Sequence, residues 1–242
     1  MKIRVCFSKT ENGRYLSHLD LMRALERGLR RIKTPLAFTE GFNPHIKLST
    51  ASALAVGVTG QREYFDLELA KRVDTGSFGE QLDRALPSAI SIITVKEIEK
   101  GSKSLSALID TAVYNISAVV MPEERLKVIK GIDVVMNSVM FMRKPRVKPG
   151  KSATHEKDVR PLIRRLELIS VSQSDNGMDE KGERLRLEAE LMLSAGGQLR
   201  PTELWEMVCE AGGLEPPGSP PVVSRVELLV YQDSKALSLM DV

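Results

Sequence analysis

The chain has 242 residues, 42% hydrophobic and 28% charged, with a formal net charge of +3. That length buries a real core and suits two modest domains, and no apolar run approaches the roughly 20 residues a membrane-spanning helix needs. Two cysteines without a C-x-x-C spacing and three scattered histidines leave a metal or cluster centre little to build on, so no cofactor is expected.

From its second position the N-terminus alternates charged and apolar residues, unlike a signal peptide, which places the chain in the cytoplasm with no membrane association. Residues 2–8 read as a strand, with Ile3, Val5 and Phe7 on one face and Lys2, Arg4 and Cys6 on the other. Ser17 and Asp20 give a capping-box-like start to a helix whose Met22, Leu25, Leu29 and Ile32 recur at helical spacing. Arg23, Arg27, Arg30 and Arg31 fall on another face, and Pro35 ends the helix. Residues 48–56 and 62–70 read as strands, 77–86 as a helix closed by Pro87, and 90–98 as a strand, giving the order βαββαβ.

After a polar joint at 100–103 the order repeats. Residues 112–120 read as strand, 122–130 as helix with Pro122 in its first turn, and 132–142 as strand. Strands at 163–172 and 184–193, a helix at 202–211 and a strand at 223–231 follow. Asn176-Gly177 marks a hairpin loop, the prolines of 216–221 a stiff connector, and residues from Ser234 onward a frayed end or a short helical turn. The expected fold is α+β: two tandem ferredoxin-like (βαββαβ) domains, 1–103 and 104–242, the second with an added strand and a basic loop at 143–165.

The small net charge hides an asymmetry. Between Arg143 and Arg165 stand nine basic residues against two acidic ones, a local excess of seven that leaves the rest of the chain at −4. Such a concentration suits a polyanion, most simply nucleic acid. Within it, Lys148, Lys151 and Arg160 are candidate phosphate contacts, the last either gripping a phosphate or pairing locally with Asp158.

Two further segments carry candidate chemistry. In Phe38-Thr39-Glu40-Gly41-Phe42-Asn43-Pro44-His45-Ile46-Lys47, the Gly and the Asn-Pro step fix a turn, but a turn alone does not require the other side chains. Phe42 or His45 suits stacking on an unpaired base, Asn43 a base edge, and Lys47 a phosphate. In Tyr15-Leu16-Ser17-His18-Leu19-Asp20, a helix N-terminus favours an anion, with His18 beside it and Arg23 and Arg27 further along. His18 and His45 are the candidate acid–base groups should the chain cleave RNA without metal. No Walker loop, G-x-G-x-x-G, G-x-S-x-G or H-E-x-x-H occurs.

The combination of residues 15–23 (YLSHLDLMR), 40–49 (EGFNPHIKLS), 53–58 (ALAVGV) and 158–163 (DVRPLI), in that order along nearly the whole chain, resembles the radical-SAM-linked protein family. In that family the domain stands alone or fused behind a radical SAM protein, in bacteria, often beside genes for a ribonuclease and ribosomal proteins. The chain lacks the C-x-x-x-C-x-x-C cluster motif, so the resemblance implies the partner of a radical SAM protein rather than the enzyme. The tandem plan is also similar to that of repeat-associated RNA-processing endonucleases, a likeness of fold alone. The expected function is a non-catalytic RNA-binding accessory protein acting on tRNA or rRNA with a radical SAM enzyme. A metal-independent ribonuclease and a protein–protein scaffold are the alternatives.

Overall fold

The structure, a computed structural model, describes residues 1–143, 156–175, 181–193, 198–215 and 217–242. In chain order its elements are β1 (Lys2–Lys9), α1 (His18–Arg31), β2 (Leu48–Thr50), β3 (Val58–Glu68), α2 (Thr75–Ala85), β4 (Ile90–Ile98) and α3 (Leu105–Leu108). There follow β5 (Thr111–Val120), α4 (Arg125–Asn137), β6 (Met142–Arg143), β7 (Lys157–Asp158), β8 (Ile163–Asp175), β9 (Lys181–Met192), α5 (Pro201–Gly212), β10 (Val222–Gln232) and β11 (Lys235–Ser238). The fold is mixed α+β, with antiparallel pairing of β1 with β3 and β4 in one unit and of β9 with β5 and β8 in the other. Two compact units emerge, Met1–Asp110 with Ser224–Val242, and Thr111–Val223. The C-terminal residues therefore group with the N-terminal unit, where a cut at 103 would assign them to the second half.

In the first unit the strands run β4-β1-β3-β10, with β2 also on β3 and β11 on β10. Alternation along β1 sends Ile3, Val5 and Phe7 to one face, where they meet Phe65 and Leu67 of β3. Against this face pack Leu21, Leu25 and Leu29 of α1, one turn apart, and Phe78 and Leu82 of α2, all buried. Each such side chain contributes about 1.5–3 kcal/mol on burial. Ser17 caps α1 by accepting from the Asp20 N–H at 3.2 Å, and its hydroxyl donates to the Asp20 carboxylate at 2.6 Å.

The strand expected over 48–56 is only three residues long, because the chain leaves β3 after Ala51 and turns across the end of the sheet. From Ser234 the chain does not fray but forms a further strand, and only beyond it does the Asp241 N–H close a turn on the Ser238 carbonyl at 2.9 Å. Asp233 and Ser234 both adopt positive φ, 48° and 64°, the geometry of a tight hairpin, and β11 folds back on β10. Beyond it Leu239 is buried, and its carbonyl accepts from Arg4 at 2.6 Å.

In the second unit β5, β9 and β8 are neighbours in that order and β6 pairs with β7 separately. The strand expected over 132–142 is instead the second half of α4, which continues to Asn137. Its branched residues favour a strand locally, but Val128, Ile132 and Val135 fall on one buried helical stripe. The stripe also holds Gly131, where an added Cβ would lie 2.0 Å from the Val208 carbonyl oxygen of α5, and Gly212 answers it against Lys127 at 2.1 Å. The two glycines let α4 and α5 cross backbone to backbone, and that packing overrides the local preference. Asn176-Gly177, Gly196-Gly197, His155, Pro216, Lys148 and Lys151 lie outside the described residues.

Candidate nucleic-acid interface

The registers of β1 place the two N-terminal motifs. Lys9, at one end, pairs with Gly60, and Lys2, at the other, with Glu68. Helix α1 starts near the Lys9 end, since the Lys9 ammonium donates to the Leu16 carbonyl at 3.1 Å. The 53–58 segment arrives at the same end: the Gly57 N–H donates to the Arg14 carbonyl at 3.0 Å, and the Arg14 Nε returns a bond to the Gly57 carbonyl at 2.9 Å. Gly57 does this at φ 87°, a conformation suited to glycine. Two motifs far apart in sequence are thus one surface, with Tyr15, Leu19 and Val56 exposed on it. The Arg14 guanidinium sits 5.7 Å from the centre of the Tyr15 ring, a cation–π pairing that leaves the ring exposed. Sequence reading singled out His18 here and missed Tyr15; its signal was an aromatic directly beside an arginine before a helix.

Beneath this surface lies a buried charged cluster. Lys9, Glu63 and Arg225 are each almost wholly buried. Arg225 grips Glu63 with two nitrogens, one at 2.8 Å, and donates to the Ser52 carbonyl at 3.1 Å. Burial pushes the Lys9 ammonium below its ordinary pKa, with Glu63 opposing and Arg225 adding to the shift. The cluster fixes the floor under the turn that precedes α1.

The Phe38–Lys47 segment forms a small hairpin at the opposite end. Lys47 N–H donates to Ala37 O at 3.0 Å while Lys47 O accepts from Glu68 N–H at 3.0 Å, so the hairpin base is stitched to the end of β3. Above it Phe38 bridges Ile46, Thr39 N–H donates to His45 O at 2.8 Å, and His45 N–H donates to Thr39 Oγ1 at 2.9 Å. Ile46 alone of this tip is buried. Phe42 is fully exposed, and Gly41, Asn43, Pro44, His45 and Lys47 are exposed around it. That exposure excludes a core-packing role for Phe42. Lys47 pairs with Glu68 at 3.4 Å, both partners solvated, a contact that holds little energy.

His18 and His45 are anchored near opposite ends of β1, seven residues or roughly 23 Å apart along the strand. The structure does not bring them to one phosphate. The His18 Nδ1 is buried and has no hydrogen-bond partner. Helix α1 runs between the two ends, and Arg23, Arg27 and Arg30, three or four residues apart, lie exposed along it. Arg23 meets Asp20 at 3.5 Å with both side chains largely in water. The Ser17 hydroxyl, ahead of Arg23, holds the Asp20 carboxyl below its usual range.

The basic segment looks different once folded. Arg143 pairs with Glu206 at 3.3 Å and Glu210 at 2.6 Å, and Arg165 with Glu188, with Glu190 at 2.9 Å and with Glu167 at 3.4 Å. Arg160 donates to the Met136 carbonyl at 2.8 Å and the Ile163 carbonyl at 2.7 Å, tying the end of α4 to the start of β8. Asp158 takes the Phe141 and Arg160 N–H groups at 2.9 and 3.0 Å, so it organises the loop through backbone rather than through the guanidinium. Arg143, Arg160 and Arg165 are thus held by the protein itself.

Among the described residues no three His, Cys, Asp or Glu side chains converge as a metal site would need, and no helix is long and apolar enough to cross a membrane. The geometry defines an α+β protein whose N-terminal unit displays an exposed aromatic hairpin, an arginine stripe and an aromatic-bearing helix start. Residues 2–201 match the family described as an uncharacterized protein conserved in bacteria (DUF2344), and the chain belongs to it. No curated protein matches the chain.

Proposed function

We propose that the chain is a non-catalytic RNA-binding accessory protein that presents folded RNA, tRNA or rRNA, to a radical SAM enzyme in the bacterial cytoplasm. The carrying observation is Phe42: a large aromatic, wholly in water, at the tip of a hairpin whose base is stitched to the sheet, with Asn43, His45 and Lys47 around it. Stacking such a ring on an unpaired base is worth about 1–3 kcal/mol. Arg23 and Arg27 supply phosphate contacts along α1. The enzyme partner rests on the motif resemblance alone.

The finer fold reading, tandem ferredoxin-like units, is supported in the first unit by β1 flanked by β4 and β3 with β2 on the far side of β3, all antiparallel. In the second it is supported by the antiparallel run β5-β9-β8 and the α4–α5 layer.

The test is binding of labelled tRNA to the wild type, to Phe42→Ala and to Arg23→Gln/Arg27→Gln. Weaker binding by both variants is expected. Equal binding by all three proteins removes this surface from the function. RNA cleavage in chelator that disappears in His18→Ala would replace the reading with a nuclease, and protein capture indifferent to nuclease treatment would replace it with a scaffold.

A further inference from the structure

The second unit carries a basic patch that no motif announces. Along β9 the residues Leu185, Leu187 and Ala189 are buried, opposite Ala118, Ile116 and Tyr114 of β5. The alternate residues, Arg184, Arg186, Glu188 and Glu190, point to the other face. Their charges are segregated. Glu188 and Glu190 are neutralised by Arg165 of β8, whereas among the described residues neither Arg184 nor Arg186 has a carboxylate partner. Arg186 is exposed and Arg184 half-buried, with one long bond of 3.5 Å from Arg184 to the Ser174 hydroxyl.

The registers place hydroxyls beside both. Arg186 stands between Ser117 of β5 and Ser170 of β8, and Arg184 has Ser172 of β8 as its cross-strand neighbour. Directly opposed residues have their Cβ atoms about 4.5–5.5 Å apart, and residues two apart on a strand lie about 6.6 Å from each other. Two guanidinium forks at that spacing, flanked by three serine hydroxyls and with no aromatic ring among the five residues, offer phosphate oxygens charge-assisted donors and offer bases nothing to stack on. Ser170 and Ser172 are exposed, so a strand of nucleic acid reaches them.

We infer that Arg184 and Arg186, with Ser117, Ser170 and Ser172, form a binding site for the phosphodiester backbone of RNA on the open face of the second unit's sheet. The site rests on the RNA-binding reading above and adds a sequence-independent contact to it. Among the described residues it also sets this contact apart from Arg143, Arg160 and Arg165, which the fold itself engages.

The experiment measures labelled tRNA binding across a salt series for the wild type, for Arg184→Ser/Arg186→Ser and for Ser170→Glu/Ser172→Glu. The second variant leaves both arginines in place and sets carboxylates opposite them, so it probes the patch if the first fails to fold. Loss of two phosphate contacts lowers the slope of log affinity against log salt by about 1.4–1.8, and affinity at low salt should fall at least about tenfold in either variant. A wild type that binds with both folded variants matching its affinity and slope overturns this site and leaves the RNA reading standing. A wild type that binds no tRNA at any salt overturns both.

Discussion

Glu63 of β3 and Arg225 of β10, 162 residues apart in sequence, form a two-pronged ion pair inside the first unit, with the buried Lys9 beside them. Removing one partner of a buried pair leaves an uncompensated charge, so Arg225→Ala is expected to cost about 3–5 kcal/mol in urea unfolding. The exposed pair of Arg72 with Glu97 is the internal contrast, and Arg72→Ala should cost less than about 1 kcal/mol. Equal costs for the two substitutions would contradict the burial argument.

The helix crossing in the second unit makes a separate demand. A methyl group at Gly131 would sit within bonding range of the Val208 backbone oxygen, and neither element is a flexible side chain able to move aside. Gly131→Ala should destabilise by about 1–3 kcal/mol or more through overpacking, despite alanine's better helix propensity. A stabilised variant in thermal unfolding would mean that α4 and α5 do not cross this closely.

Both thiols should be silent in the native protein. Burial pushes Cys6 up to about 11 and Cys209 up to about 12, from an ordinary 9.0. A thiol-reactive dye at pH 8 should label neither until denaturant is added. The linkage has a definite sign: the folded state keeps these protons longer than the unfolded chain, so the stabilisation is complete below about pH 9 and is lost as pH rises from there towards 11 and 12. Rapid labelling of the native protein would contradict the burial of both residues.

Phe42→Ala separates a structural role from a binding one. Because the ring is wholly exposed, its removal should change stability by no more than about 0.5 kcal/mol. Urea midpoints and tRNA titrations on the same preparation check this, and a large loss of stability would return Phe42 to a packing role.

Local patterns were legible where local physics decides. The strand at 90–98 has the limits its isoleucines suggest, and the Ser17 cap of α1 uses the hydroxyl and amide the spacing implied. The second half of α4 was not legible, since Ile132, Val134 and Val135 favour a strand locally, and only the close approach of α5 at Gly131 makes a buried helical stripe the better packing. Arg4 alternates onto the face that reads as solvated, yet it is buried against Asp66 at 2.8 Å, beneath the Leu239 carbonyl. The basic segment misled for the same reason: Glu206, Glu210, Glu188 and Glu190 are remote in sequence from Arg143 and Arg165 and meet them only through the fold. Arg184 and Arg186 were hidden by Glu183 and Glu188, whose charges cancel theirs in sequence, whereas in the fold Glu183 pairs with Arg125 and Glu188 with Arg165.

RNA binding is read most directly by fluorescence anisotropy of the wild-type protein with labelled tRNA and an unlabelled duplex competitor across a salt series. With some six to ten phosphate contacts, affinity should fall by about 10³ to 10⁵ between roughly 50 and 200 mM salt, and the duplex should compete poorly where unpaired bases meet Phe42. Absence of binding at every salt concentration would contradict an RNA-binding function for this chain.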